Sequence, residues 1–161
     1  MKDKADKKLR EDLIDTLTVG GAHVSFTDAI AGLPATLRGK EAPGLPHTPW
    51  MLLEHIRIAQ WDILEYTTNP KHKSPKWPEG YWPKTEAPPS VKAWNESVAA
   101  VRKGLKAAEK LVNNKKNDLL APVPWAGGQT ILRKMLLIAD HTAYHVAQLV
   151  DVRRALGAWD K

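Results

Sequence analysis

The sequence predicts an all-α protein, a bundle of four helices. Apolar residues recur at helical spacing in four segments, whereas no segment alternates apolar and polar residues as a half-buried strand would. Capping residues and helix breakers bound most of these segments. Four amphipathic helices bury their apolar faces most simply against one another. The chain has 161 residues, 43% of them hydrophobic, which is enough for one domain with its own core, so we expect a single domain over 1–161.

The first helix is predicted over about residues 4–18. Its apolar residues follow helical spacing: Leu9, Leu13, Ile14 and Leu17. Gly20-Gly21 interrupts this pattern, which resumes over residues 26–33 and stops before Pro34.

The second helix is predicted to run from Pro49 to about Thr68. Thr48 is suited to cap its first turn, and Asn69-Pro70 is suited to end it. The apolar face of this helix consists of Leu52, Ile56, Ala59 and Ile63.

The third and fourth helices carry the longest apolar patterns. The third is predicted from Ser90 to about Lys115, where apolar residues alternate at spacings of three and four. The fourth is predicted from its cap Thr130 to about Leu156, and Gly157 would end it. Its predicted buried face consists of Ile131, Met135, Ile138, Thr142, Val146 and Leu149.

A long connection, residues 69–89, joins the second helix to the third and holds six of the twelve prolines. Connections of this length without regular structure are uncommon in compact domains unless they have a role. One role is topological, because a long crossover lets two neighbouring helices run parallel. The other is to cover a site with three large rings, those of Trp77, Tyr81 and Trp82. The sequence leaves both roles open.

Three of the six histidines form a pattern that predicts a metal site. His141 and His145 are four residues apart on one helix, so they project from the same face about 6 Å apart along its axis. On a helical wheel they lie at the margin of the buried face. A shared divalent cation would explain such a pair, and the alternative is two partly exposed histidines bonded to neighbouring residues. His55, at the apolar margin of the second helix, would add a third imidazole, and three histidines with open positions are typical of a catalytic metal site.

The other candidate residues are assigned more simply. His23, His47 and His72 are interpreted as ordinary surface or loop residues. Gln148 shares a flank of the fourth helix with the histidine pair, and Asp62 shares a flank of the second helix with His55, so both are candidates to orient the ligands. No residue stands out as a general acid or base.

Composition and charge exclude several classes of protein. The chain has no cysteine, which excludes disulfides, thiolate metal sites and a cysteine nucleophile, and it is compatible with a cytoplasmic location. No apolar run is long enough for a transmembrane helix, and the charged start of the chain argues against a secretory signal. The net charge is +6, but the lysines are dispersed, so we expect no binding to nucleic acid or membrane.

Two segments carry a resemblance to a known family. HTPWMLLEHIRIAQWDIL (47–64) and ILRKMLLIADHTAYHVAQLVDVRRALGAW (131–159) resemble the DinB/YfiT-like superfamily of metal-binding four-helix bundles, and PKWPEGYWP, GGQT and HVSFTDAI are similar to one branch of it. The resemblance covers about residues 20–159. It implies an up-down-down-up bundle with a long crossover between the second and third helices. It also implies one nickel, zinc or iron ion held by His55, His141 and His145.

The resemblance also bears on function, because characterised relatives include transferases and isomerases that use bacillithiol, mycothiol or glutathione. The leading hypothesis is a metal-dependent transferase or hydrolase-like enzyme that acts on a small molecule, and any thiol must then be a low-molecular-weight cosubstrate. Trp82 and its neighbours in the long connection, with Trp50 or Trp125, would form an apolar wall for the substrate, while Lys134 is either a binding residue for an anionic cosubstrate or a solvated lysine. The alternative is a non-catalytic, stress-associated metal-binding protein. A homodimer is plausible, but no interface can be located.

Overall fold

The structure, a computed structural model, describes residues 2–18 and 22–159. These residues form five α-helices: α1 (Lys2–Thr18), α2 (Phe26–Ile30), α3 (Pro49–Thr68), α4 (Val91–Asn113) and α5 (Ile131–Ala155). No β-strand occurs in them, so the predicted all-helical class is confirmed. The additional short helix α2 lies where the apolar pattern was predicted to resume, and Gly20-Gly21 lie outside the described residues. None of the helices described is long and apolar enough to cross a membrane.

The starts of the three long helices α3, α4 and α5 are fixed by side-chain caps. Thr48, Ser90 and Thr130 each accept a hydrogen bond from the backbone amide three residues later. Each cap satisfies one of the amides that have no partner in the first turn of a helix. The end of α4 comes slightly earlier than predicted, at Asn113, because the Asn114 side chain accepts a bond from the amide of residue 116 and turns the chain.

Helix α3 lies between α4 and α5, and α1 packs against the same two helices from another side. The fully buried residues of α3 are Leu52, Leu53 and Ile56, which belong to a core cluster shared with α4 and α5. Burying each such side chain contributes roughly 1.5–3 kcal/mol. This core fixes the first half of α3 against the middle of α5, which is where the predicted metal ligands lie.

Helices α3 and α4 meet at two levels. Near their starts, the rings of Trp50 and Trp94 lie 6.4 Å apart. Further along, the side chain of Gln60 packs against Gly104, and a Cβ atom at position 104 would overlap the Gln60 amide. Glycine therefore sets how closely the two helices approach there.

A buried arginine ties the end of α5 to α2. Arg153 is 6% exposed, and its guanidinium donates to the carbonyls of Ala29, at 2.6 Å, and Ala31, at 2.9 Å. Its Nε donates to the carbonyl of Ala158 at 2.9 Å, and the guanidinium also lies over the ring of Trp159. One side chain thus satisfies backbone carbonyls from two segments, the end of α2 and the residues that follow α5.

Candidate metal centre

His55 lies in the second turn of α3, where the Thr48 cap and the surrounding core hold its backbone in place. The residue is 4% exposed. Its Nδ1 lies 2.8 Å from the carbonyl oxygen of Tyr81, which can only accept a hydrogen bond, so Nδ1 carries the proton. The unprotonated Nε2 is therefore available as a ligand.

His141 and His145 are presented by adjacent turns of α5, with ring centroids 4.4 Å apart. His145 is 7% exposed, and its Nδ1 lies 2.7 Å from Oε1 of Gln148 one turn later. That contact orients the ring and leaves Nε2 free. His141 is half-buried and points its Nε2 at the Nε2 of His55.

The three imidazoles form a compact donor set. One ring nitrogen of each of His55, His141 and His145 lies within 4.8 Å of the other two. The Nε2 atoms of His55 and His141 are 3.1 Å apart. Two nitrogen ligands of one metal ion, each about 2.0–2.1 Å from it, are separated by roughly 3.0–3.4 Å. The donor chemistry and this spacing both fit a divalent ion.

The protonation state of the cluster also suits metal ligation. Burial, together with the neighbouring histidines, lowers the pKa of His141 to about 4. Burial likewise lowers the pKa of His145 to about 4, against the raising effect of its bond to Gln148. The pKa of His55 is also lowered, mainly by burial. All three rings are therefore neutral at pH 7, which is the form that binds metals.

Comparison with known families agrees with this geometry. The model of the DinB superfamily matches residues 22–149, a span that includes all three histidines. The chain belongs to the DinB superfamily. The family resemblance seen in the sequence is thus confirmed. No match was found among curated proteins or among solved structures.

In this DinB chain, the connection between α3 and α4 covers one side of the triad. The ring of Trp82 stacks on His55 at 4.0 Å with an interplanar angle of 5°. The ring of His47 also stacks on Trp82, at 4.2 Å. His47 is therefore no ordinary loop residue, because it holds the indole against a candidate ligand.

A chain of hydrogen bonds fixes the same connection to α3. The hydroxyl of Tyr81 donates to one oxygen of Asp62 at 2.7 Å, and the other oxygen lies 2.7 Å from Nε2 of His72. Asp62 is buried, and it reaches His55 only through Tyr81, whose carbonyl accepts the His55 bond. Its role in orienting a ligand stays a prediction. The interpretation of His72 as an ordinary surface or loop residue is wrong, because its side chain is buried against Asp62.

We expect Tyr81→Phe to weaken zinc binding by about tenfold, the lower end of the range for residues that orient a metal ligand. The substitution removes the bond to Asp62, so the Tyr81 carbonyl holds His55 less firmly. Calorimetric titration with zinc would measure the change. Tyr144→Phe is the matched control, since Tyr144 touches His145 through its ring and would keep that contact. Equal affinities for both variants and the wild type would contradict the role of this hydrogen bond.

The remaining candidates lie elsewhere. Trp50 packs in the core against Trp94, and Trp125 donates to the backbone carbonyl of Tyr66. No ring contact or hydrogen bond within the described residues joins either tryptophan to the triad, so their role in a substrate wall stays a prediction. Lys134 is buried under the Tyr66 ring, 4.2 Å from its centroid, and burial lowers its pKa. It is therefore not a solvated lysine.

Sequence reasoning missed Tyr144. This residue is 63% exposed, and its ring meets the edge of His145 at 4.9 Å. The available signal was its position directly before His145. Because His145 lies at the margin of the buried face of its helix, the residue before it points toward solvent while remaining next to the ligand. Tyr144 and Trp82 place aromatic rings on two sides of His145.

Proposed function

We propose that the protein binds one divalent metal ion through His55, His141 and His145 and uses it to activate a small thiol or a water molecule in a transferase or hydrolase-like reaction. The observation that carries this proposal is the donor set itself, three neutral imidazoles whose ligand atoms lie within 4.8 Å of one another. Membership of the DinB superfamily supports it. Nickel, zinc and iron all accept imidazole ligands, so each is a candidate for the native ion.

The groups around the triad would orient its ligands, and the bound ion would supply the reactivity. When bound, a divalent ion would supply Lewis acidity that lowers the pKa of a coordinated thiol or water. Gln148 and the carbonyl of Tyr81 would hold the rings of His145 and His55 in the orientation that presents Nε2. Because the chain has no cysteine, the thiol would be a small cosubstrate.

The rings of Trp82 and Tyr144 would form the substrate wall. Trp82 is fixed by its stacking contacts with His47 and His55, whereas Tyr144 lies largely in solvent. A fixed ring would orient an apolar acceptor, and the exposed ring would leave one side open for entry. Among the predicted wall residues, Trp82 is the one whose ring stacks on a proposed ligand within the described part of the chain.

The second candidate is a metal-binding protein without turnover. Its support is the chemistry of the groups that hydrogen-bond to the triad or stack face to face on it: a backbone carbonyl, an amide and an indole. None of these groups accepts or gives up a proton near neutral pH. An enzyme built on this site would therefore depend on the metal and the cosubstrate for its proton transfers.

Activity separates the two candidates. The purified protein, loaded separately with zinc, nickel or iron, would be assayed for transfer of bacillithiol, mycothiol or glutathione to a small electrophile and for hydrolysis of activated esters. We expect turnover with at least one metal, and His141→Ala should lose it. Stoichiometric metal binding without turnover in any pairing would favour the non-catalytic protein.

We also propose that the four long helices follow the up-down-down-up order. The α3 and α4 contacts support a parallel pair, since Trp50 meets Trp94 near both starts and Gln60 meets Gly104 near both centres. The connection from 69 to 89 is long enough to return the chain to the same end. A homodimer and a cytoplasmic location stay predictions.

A further inference from the structure

A groove separates α3 from α4 on the outer side of the bundle, away from the helix that carries His141 and His145. Its volume is about 600 Å³, within the range of small-molecule sites. The α3 and α4 walls contribute the larger apolar side chains Trp61, Leu64 and Leu111. On α4 part of the wall is low, because three of its lining residues are small: Ala100, Gly104 and Ala107.

The groove contains a buried amide with an unused hydrogen-bonding atom. Gln60 lines the groove and is 3% exposed, and within the described residues its Nε2 has no hydrogen-bond partner. Buried amide groups are nearly always bonded, so an unpaired one requires an explanation. The terminal torsion of glutamine is broad and two-fold, so a half-turn exchanges the positions of Nε2 and Oε1. The amide can therefore donate to an acceptor that enters the groove.

The charges on the rim favour an anion. Lys103 and Lys110 line the groove, and no ion pair with another described residue neutralises either of them. Arg57 also lines it but is held by Glu54. The carboxylate among the lining residues, Glu65, lies 3.2 Å from the side-chain nitrogen of Asn69. Positive charge therefore predominates around an apolar trough.

We propose that this groove is a second binding site, specific for a small carboxylic acid with an apolar body. The apolar body would lie against Trp61 and Leu111, over the low wall formed by Ala107. The carboxylate would accept a hydrogen bond from the Gln60 amide and face Lys103 across the groove. Each part of the ligand thereby meets a group whose chemistry matches it. The site needs no metal and is independent of the proposed activity.

Decanoate is a suitable probe, with 1-decanol as the uncharged probe of the same chain length. The full-length protein, freed of metal so that the carboxylate has no ion to bind, would be titrated with each and followed by calorimetry and amide chemical shifts. We expect saturable decanoate binding, with shifts concentrated at Ala100, Gly104 and Ala107, and about tenfold weaker binding of decanol. No saturable binding of decanoate, or equal binding of decanol, would overturn the proposal.

Matched variants locate the site. Ala107→Trp fills the groove and should weaken decanoate binding by more than about tenfold, whereas Ala99→Trp, on the same helix outside the lining, should have no effect. Lys103→Gln should weaken binding about two- to threefold, and Lys106→Gln, an exposed lysine outside the lining, should leave it unchanged. If Ala107→Trp and Ala99→Trp bind equally well, decanoate binds elsewhere and the proposal fails.

Gln60→Met distinguishes a ligand-binding amide from a structural one. If the amide serves the ligand, the variant should bind decanoate about tenfold more weakly while its Tm is equal to or above that of the wild type, because an unpaired buried amide has been removed. A lower Tm with unchanged affinity would show a purely structural glutamine. Sedimentation of the free protein tests the competing occupant: a dimer that dissociates when Ala107→Trp is introduced would assign the groove to a second copy of the chain.

Discussion

Replacing any one of His55, His141 and His145 by alanine should reduce metal affinity by at least about a hundredfold, more than the loss of a residue that only orients a ligand. The wild type should bind close to one equivalent of zinc, nickel or iron, since the three ligand atoms lie within 4.8 Å of one another. Elemental analysis after dialysis and competition with a chromogenic chelator would measure stoichiometry and affinity.

His23→Ala is the clean control for these variants. His23 is exposed, and within the described residues its Nδ1 is bonded to the neighbouring backbone carbonyl of Val24, at 3.0 Å, so its removal should leave binding unchanged. His47 and His72 are poorer controls, because His47 stacks on Trp82 of the connection that covers His55, and His72 bonds that connection to Asp62 of α3. If the wild type holds no metal after reconstitution, or if all four variants retain it equally, the assignment of the centre is wrong.

The same experiment has a characteristic pH dependence. An ordinary histidine near pKa 6.5 would make metal binding weaken below that pH. Burial lowers the pKa of His141 and His145 to about 4, so protons compete for these rings only in more acidic solution. Zinc affinity should therefore fall most steeply toward pH 4, where His141 and His145 take up protons. An affinity that already falls steeply just below pH 6.5 would instead show that these rings titrate like solvated histidines in the metal-free protein.

Arg153→Met should lower the free energy of unfolding by about 3 kcal/mol, equivalent to a fall in Tm of roughly 6–12 °C for a chain of this size. The substitution keeps an apolar stem but leaves the carbonyls of Ala29, Ala31 and Ala158 without their donor. The bond to Ala29 is buried and the other two are partly buried, and a buried carbonyl without a partner costs more than the loss of a surface contact.

Arg154→Met is the matched control for this prediction. Arg154 is the next residue along α5, is exposed, and pairs with Asp151 through its guanidinium. Exposed pairs of this kind contribute less than about 1 kcal/mol, so the control should unfold close to the wild type. Thermal or urea unfolding of the two variants side by side would decide, and equal Tm values would contradict the role of Arg153.

The part of the site that could be predicted from sequence is the part carried by helices. His141 and His145 were found because a spacing of four on a helix places two side chains on one face, and His55 because its apolar neighbours define which way α3 turns it. The contacts of His47, Tyr81 and Trp82 could not be found in this way. They depend on the path of an irregular segment, which has no periodicity to report which way a side chain points.

Lys134 shows a second limit of pattern analysis. A helical wheel gives the angle of a side chain about its own axis, and that angle was consistent with a solvated lysine. Burial depends also on what the neighbouring helix contributes at the same level, here the ring of Tyr66. Sequence periodicity within α5 contains no information about that partner. In the same way, the burial of Gln60 could not be predicted from the periodicity of α3, because it depends on Gly104 of α4.

The ligands of the proposed centre are distant in the chain, because His55 and His141 are 86 positions apart. During synthesis, α3 emerges with a single imidazole, and α4 follows without adding another. Metal capture by the triad must therefore wait until α5 has been made and has docked, because long-range contacts form only after the intervening chain has been ordered. Binding of the ion would thus stabilise the bundle only after its helices have assembled. Helix α3 alone would not bind metal while the chain is still incomplete.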